Sequence, residues 1–158
     1  MIFHASIPAD NPQRVAEVMA EIWGGEAFRF PPWPGAYVAI AGDDRGTTCE
    51  VYPRSQTMAR GDGEQPAWPK VDEMPSEFTV HHIAVMTEKS EEEILALAQR
   101  EGWRALRCSR GHFFDVIEMW VENRMLVEVL TKEMQVDYRK NVNMEMWRWT
   151  KEEPPVAV

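Results

Sequence analysis

The sequence predicts an α+β fold: two copies of one βαβββ module, closed by a C-terminal helix. Three observations predict it. Both halves read strand, helix, strand, strand, strand from hydrophobic period and turn residues. Each half carries a His and a Glu at matching places, 78 residues apart for His4 and His82 (82 − 4) and again for Glu50 and Glu128 (128 − 50). The same shift carries Gly24 onto Gly102 and Asp44 onto Glu122. A repeat of this kind fixes the architecture before any single residue is interpreted.

The first module occupies residues 1–53. Met1–Ile7 alternates as a strand, with Phe3, Ala5 and Ile7 on one face and Ile2, His4 and Ser6 on the other. Asn11 caps a helix whose first position is Pro12. Val15, Val18, Met19 and Ile22 form its apolar stripe, and Gly24-Gly25 ends it. Phe28–Pro34 is proline-rich and fits an edge or loop. Ala36–Ala41 is a strand, Gly42–Gly46 a turn, and Thr47–Tyr52 a strand with Thr48, Glu50 and Tyr52 on one face.

Residues 54–77 hold three prolines and two glycines (Pro66, Pro69, Pro75, Gly61, Gly63) among charges and read as a linker. The second module, 78–131, opens on the strand Phe78–Met86. Ser90 and Glu93 form a capping box, Ile94, Leu97 and Ala98 the helix stripe, and Gly102 its end. Trp103–Cys108, His112–Trp120 and Met125–Thr131 follow as strands, the last with Leu126, Glu128 and Leu130 on one face. Residues 132–158 comprise a helix, Lys132–Trp149, and a frayed tail.

Bulk properties narrow the function. A chain of 158 residues is one domain or two small modules sharing a core. A formal charge of −9 argues against nucleic-acid or anionic-membrane partners. Cys49 and Cys108 are too few for a disulfide scaffold and suit reduced thiols. Without a signal-peptide pattern or a long apolar run, a cytoplasmic protein is expected. Seven Trp and ten Met fit a core of large, adaptable side chains, or a greasy cleft.

The chemistry centres on FTVHHIAV, Phe78–Val85, where two imidazoles interrupt a strand pattern. His82 is in register with His4; His81 shares its face with Ile83 and Val85 and is expected to pack or lie at the surface. His112 falls opposite Pro34 in the repeat and is expected to be exposed. Cys49 adjoins Glu50 but points the other way, into the core. A carboxylate in an apolar strand is costly unless paired or bound to a cation. His4, Glu50, His82 and Glu128 together offer two neutral imidazoles and two carboxylates, whose charge balances a divalent ion. The set suits Ni, Co, Zn, Fe or Mn, and without thiolate it is not a closed structural zinc site.

With FHASI and CEVY bounding the first module and HHIAV and VEVL the second, the sequence resembles the vicinal oxygen chelate superfamily over roughly residues 2–131. The family includes glyoxalase I, epimerases, fosfomycin- and bleomycin-resistance proteins and extradiol dioxygenases. The resemblance implies sheets curled into cups, with metal ligands on the first and last strands of each module. The order His, Glu, His, Glu is similar to bacterial-type glyoxalase I. It implies His4, Glu50, His82 and Glu128 as ligands, Glu128 or Glu50 as general base, and a small oxygen-chelating substrate. It further implies a metal-dependent lyase or isomerase working through an enediolate-type intermediate, in a homodimer. The alternatives are a non-catalytic, drug-sequestering binder and an extradiol dioxygenase. The sequence departs from glyoxalase I in lacking an Arg after the first strand and in carrying Glu17-Val18-Met19 where a Phe-Tyr pair is usual.

Overall fold

Apolar alternation and helix caps divide the chain as the repeat demands. The computed structural model describes residues 2–111 and 113–148. The first module runs β1 (His4–Ala9), α1 (Pro12–Trp23), β2 (Glu26–Arg29), β3 (Tyr37–Ile40) and β4 (Thr48–Pro53). A ribbon follows, β5 (Gln56–Ala59) and β6 (Trp68–Val71). The second module runs β7 (Ile83–Met86), α2 (Glu91–Glu101), β8 (Arg104–Arg110), β9 (Phe114–Val121) and β10 (Met125–Leu130), and α3 (Lys132–Asn141) and α4 (Met144–Trp147) close the described chain.

The two main sheets have the same strand order, β1-β4-β3-β2 and β7-β10-β9-β8. In each, the first strand lies parallel to the last and the remaining pairs are antiparallel. The repeat extends to register. Ser6 pairs with Glu50 and Ile7 with Val51, while Ala84 pairs with Glu128 and Val85 with Val129. Helix ends repeat too: Gly24 and Gly102 take left-handed φ values of 71° and 70°, where a Cβ would be strained. At the starts, Asn11 accepts from Arg14 N, and Ser90 and Glu93 form the expected capping box.

Each helix covers one face of its sheet. Ile7, Ala39, Cys49 and Val51 are buried, as are Val15, Val18, Met19 and Ile22 of α1; Val85, Ile117, Met119, Val127 and Val129 are their equivalents beside Ile94, Leu97 and Ala98 of α2. Burying each Val, Ile or Leu stabilises the fold by about 1.5–3 kcal/mol before chain entropy is counted. The modules are stitched by polar contacts: buried Thr87 Oγ1 donates to Ile22 O, Arg14 and Arg100 bridge α1 and α2 through Glu101 and Glu21, and Glu122 accepts from Asp10 N and Asn11 N.

Three elements differ from expectation. The strand expected from Phe78 begins only at Ile83; Val127 is the first β10 residue to pair with β7, so residues 78–82 have no ladder partner there. The 54–77 linker contains the β5–β6 ribbon, with Gln56 opposite Val71 and Ala59 opposite Trp68. The C-terminal helix breaks in two. Val142 leaves helical geometry at φ −102°, ψ 76°, and Asn143 Oδ1 accepts from Glu145 N to start a new turn. His112, Trp149 and the tail 151–158 lie outside the described residues. Among those described, no helix is long and apolar enough to cross a membrane.

Candidate metal centre and adjoining cavity

With α1 on one face of the first sheet, β1 and β4 turn His4, Ser6, Thr48, Glu50 and Tyr52 to the opposite, open face, because residues in register share a side. Glu50 accepts from Ser6 Oγ at 3.1 Å and from Tyr52 Oη at 2.8 Å. Burial and the adjoining Glu50 push the Tyr52 phenol well above its ordinary value, so it stays a donor. Tyr52 is itself held edge-on by Trp33 and Phe30, at 5.0 and 6.0 Å between ring centroids. His4 is exposed at the start of β1.

The second sheet turns Glu118, Trp120 and Glu128 to its open face, while His82 lies exposed just before β7 begins. Glu128 is buried and lies directly opposite Glu118 on β9. Two carboxylates facing each other need a cation, and Arg110 supplies it. Its guanidinium donates to Glu128 Oε1, 3.0 Å from Nε, and to Glu118 Oε1 at 2.8 Å. Arg110 accordingly holds Glu118 below the usual carboxylate range. His82 Nδ1 lies 3.1 Å from Val80 O. A carbonyl oxygen only accepts, so Nδ1 is the donor in that contact. His81 is exposed. Cys49 is a core residue whose thiol burial pushes up to about 12.

The structure therefore places His4 and Glu50 on the open face of the first sheet and Glu128 on that of the second, with His82 preceding β7. Within one chain it does not gather the four. Among the described residues, no group of three or more His, Cys, Asp or Glu side chains is placed to hold a metal. The donor chemistry of the four fits a divalent ion, with His4 and Glu50 carried by the first module and His82 and Glu128 by the second.

A cavity of about 340 Å³ adjoins the first half. Ser6 and Tyr52, the two residues that hold Glu50, line it with Trp33, Arg54 and Met58, and the 72–79 segment covers one side. That segment also reaches the second sheet, where Phe78 meets Trp120 edge-on at 6.0 Å.

Comparison with solved structures bears on this arrangement. The FosX fosfomycin resistance protein of Listeria monocytogenes, in a complex with Mn(II) and sulfate, is similar at a TM-score of 0.55, with 12% identity over 89% of this chain and 96% of that one. FosX from Mesorhizobium loti gives 0.52 with 9% identity, covering 86% and 95%. A lactoylglutathione lyase from Agrobacterium tumefaciens gives 0.52 with 12% identity, covering 84% and 94%. The chain has the vicinal oxygen chelate fold. No family model and no curated protein matches the sequence. The vicinal oxygen chelate fold is thus shared over most of each chain while the sequences have diverged to the level at which only architecture is comparable.

Reading the sequence missed Arg110, Glu118, Ser6 and Tyr52. Glu118 was visible in principle, since Val116, Glu118 and Trp120 alternate on one face of β9. Its partnership with Glu128 depends on the hairpin register, which Glu122 and Asn123 set by turning with φ values of 52° and 57°.

Proposed function

We propose that this protein is a divalent-metal-dependent lyase or isomerase of the glyoxalase kind, acting on a small oxygen-chelating substrate. The observation that supports the reading is the repeated register: Ser6–Glu50 and Ala84–Glu128 are equivalent strand pairs, so Glu50 and Glu128 take matching open-face positions, each with a His on or just before the partner strand. His4, Glu50, His82 and Glu128 would hold the ion, which when bound supplies a Lewis acid for substrate oxygens. The Mn(II) complex of the FosX neighbour supports a metal on this fold.

Because no three of the four form a group in one chain among the described residues, the reading includes a homodimer in which the open face of the first sheet meets the second sheet of another copy. Exposed Phe28 and Met86, on the open-face side of their strands, make such a meeting favourable. Arg110 would then surrender Glu128 and keep Glu118. Glu50, held by neutral hydroxyls, is assigned as the base that moves the substrate's proton, with Tyr52 and Ser6 fixing its carboxylate. Substrate would lie in the adjoining cavity.

A metal-free binding protein is the second reading, favoured by one observation: Arg110 already neutralises Glu128. The two separate in protein purified without added metal. The enzyme reading predicts about one divalent ion per chain, lost in Glu50→Gln and in Glu128→Gln. Unchanged metal content in both variants would refute it, and metal-free wild type that still binds apolar ligands would favour the second.

A further inference from the structure

The cavity beside Glu50 has a charge at its far end. Thr48, Glu50, Tyr52 and Arg54 alternate along β4 and its exit. Four residues of strand put Arg54 roughly 13 Å from Glu50, Cα to Cα. The Arg54 side chain is only 11% exposed. It is fixed by Nη1 donating to Ser76 O at 2.9 Å, but it is under-satisfied. Nε lies 3.1 Å from Asp10 Oδ1 and yet is a buried donor without a hydrogen bond, so the contact is Coulombic and misaligned. Asp10 is shared with Arg124, whose Nε is 3.3 Å from the other carboxylate oxygen. Arg54 thus shares its carboxylate partner with a second guanidinium, and its own Nε is left without a hydrogen bond. The neighbouring acids keep their charge but take their hydrogen bonds from backbone: Glu122 accepts from Asp10 N and Asn11 N, and Asp72, on the cavity wall, accepts from Met74 N. A buried, under-bonded guanidinium at the end of a mostly apolar cavity is costly when empty and favourable when an anion docks.

We propose that this cavity takes an organic acid with an apolar body, its carboxylate at Arg54 and its hydrophobic part against Trp33 and Met58. Orientation toward the chemistry rests on the proposed role of Glu50; binding of the acid does not. The spacing makes the acid a distal group, at the opposite end of the molecule from the reacting oxygens. A compact 2-oxo acid that offers its carboxylate to the metal does not span it.

The test is a titration of the full-length protein, followed by tryptophan fluorescence and thermal shift, with aryl- and alkyl-chain monoacids of three to eight carbons and their matched amides. Acids in the panel are expected to bind, the amides about tenfold more weakly or worse. Trp33→Phe should remove most of the fluorescence response. Arg54→Gln should weaken the acids about tenfold while leaving the amides unchanged, and Arg54→Lys should weaken them less. Acids and amides binding alike, or no acid binding at all, overturns the proposal in wild type alone, whatever the folding of the variants. Metal content separates this from the functional reading. Metal retained with no acid preference sinks the acid site only; acid preference without metal sinks the enzyme reading only.

Discussion

Replacing Arg110 with Met tests the charge logic of the second open face. Arg110 is the close cation of two carboxylates that face each other across β9 and β10; Arg104, 60% exposed and 4.0 Å from Glu118, is a poor substitute. Directly opposed strand residues place their Cβ atoms about 5 Å apart. Two like charges at that separation repel by about 3 kcal/mol at an effective dielectric of 20. Side-chain exposures of 18% for Glu118 and 11% for Glu128 leave some solvent screening, which brings the expected loss to about 2 kcal/mol at neutral pH. The loss should shrink in acid as one carboxylate takes up a proton. The same substitution frees Glu128, so affinity for a divalent ion should rise about tenfold or more. Urea denaturation at pH 7 and pH 4, with a metal titration of the same samples, measures both. A variant as stable as wild type at pH 7, with unchanged metal affinity, would refute the reasoning.

Other perturbations probe the frame around the site. A Cβ on Gly25 would lie 2.0 Å from Ile40 O, so Gly25→Ala must displace the β2–β3 junction; a loss of about 3 kcal/mol or more, and a melting point lower by about 6–12 °C, is expected by calorimetry. Gly24→Ala meets open space and only the strain of its φ of 71°, about 1–2 kcal/mol. Glu101, whose side chain is 8% exposed, accepts from Arg14 and Arg100, each at 2.7 Å, and the Arg14 hydrogen bond above all holds its pKa below the ordinary carboxylate value. A depressed carboxylate adds stability above its unfolded value and loses it as pH falls through the folded one. Glu101→Gln should therefore cost about 1–2 kcal/mol at pH 7, discounted for the half-exposed arginines, and the gap to wild type should close below pH 4.5 in acid denaturation.

What the sequence disclosed followed from period and repetition. The module order, both helices with their caps, the buried face of every repeated strand and the open-face positions of Glu50 and Glu128 are local or two-copy properties. The βαβββ order matters most, because its first and last strands form the parallel β1–β4 and β7–β10 pairs that fix the open-face positions of Glu50 and Glu128. Non-local pairing was invisible. Nothing within a few residues of Arg110 announces that a β8 side chain will cross β9 to reach Glu128. Nor does the 54–77 composition announce a ribbon, since Pro69 pairs with Met58 on an edge where its missing N–H is tolerated. The loss of strand at 78–82 also depends on where β10 ends its pairing, not on the β-branched residues of that run. The His4, Glu50, His82 and Glu128 set was read from the copies as a single cluster; among the described residues of one chain no three of them form a group placed to hold a metal, so the proposed dimer joins the His4–Glu50 half of one copy to the His82–Glu128 half of another.

The account turns on whether two copies complete those halves. The direct measurement is metal content of a purified heterodimer, formed by co-expressing differently tagged Glu50→Gln and Glu128→Gln chains. If each site joins His4 and Glu50 of one copy to His82 and Glu128 of the other, one of the two sites in this heterodimer carries both substitutions and the other carries neither. The account predicts about one metal ion per heterodimer and almost none in either variant homodimer. No metal in the heterodimer, when the wild-type dimer is loaded, would contradict it.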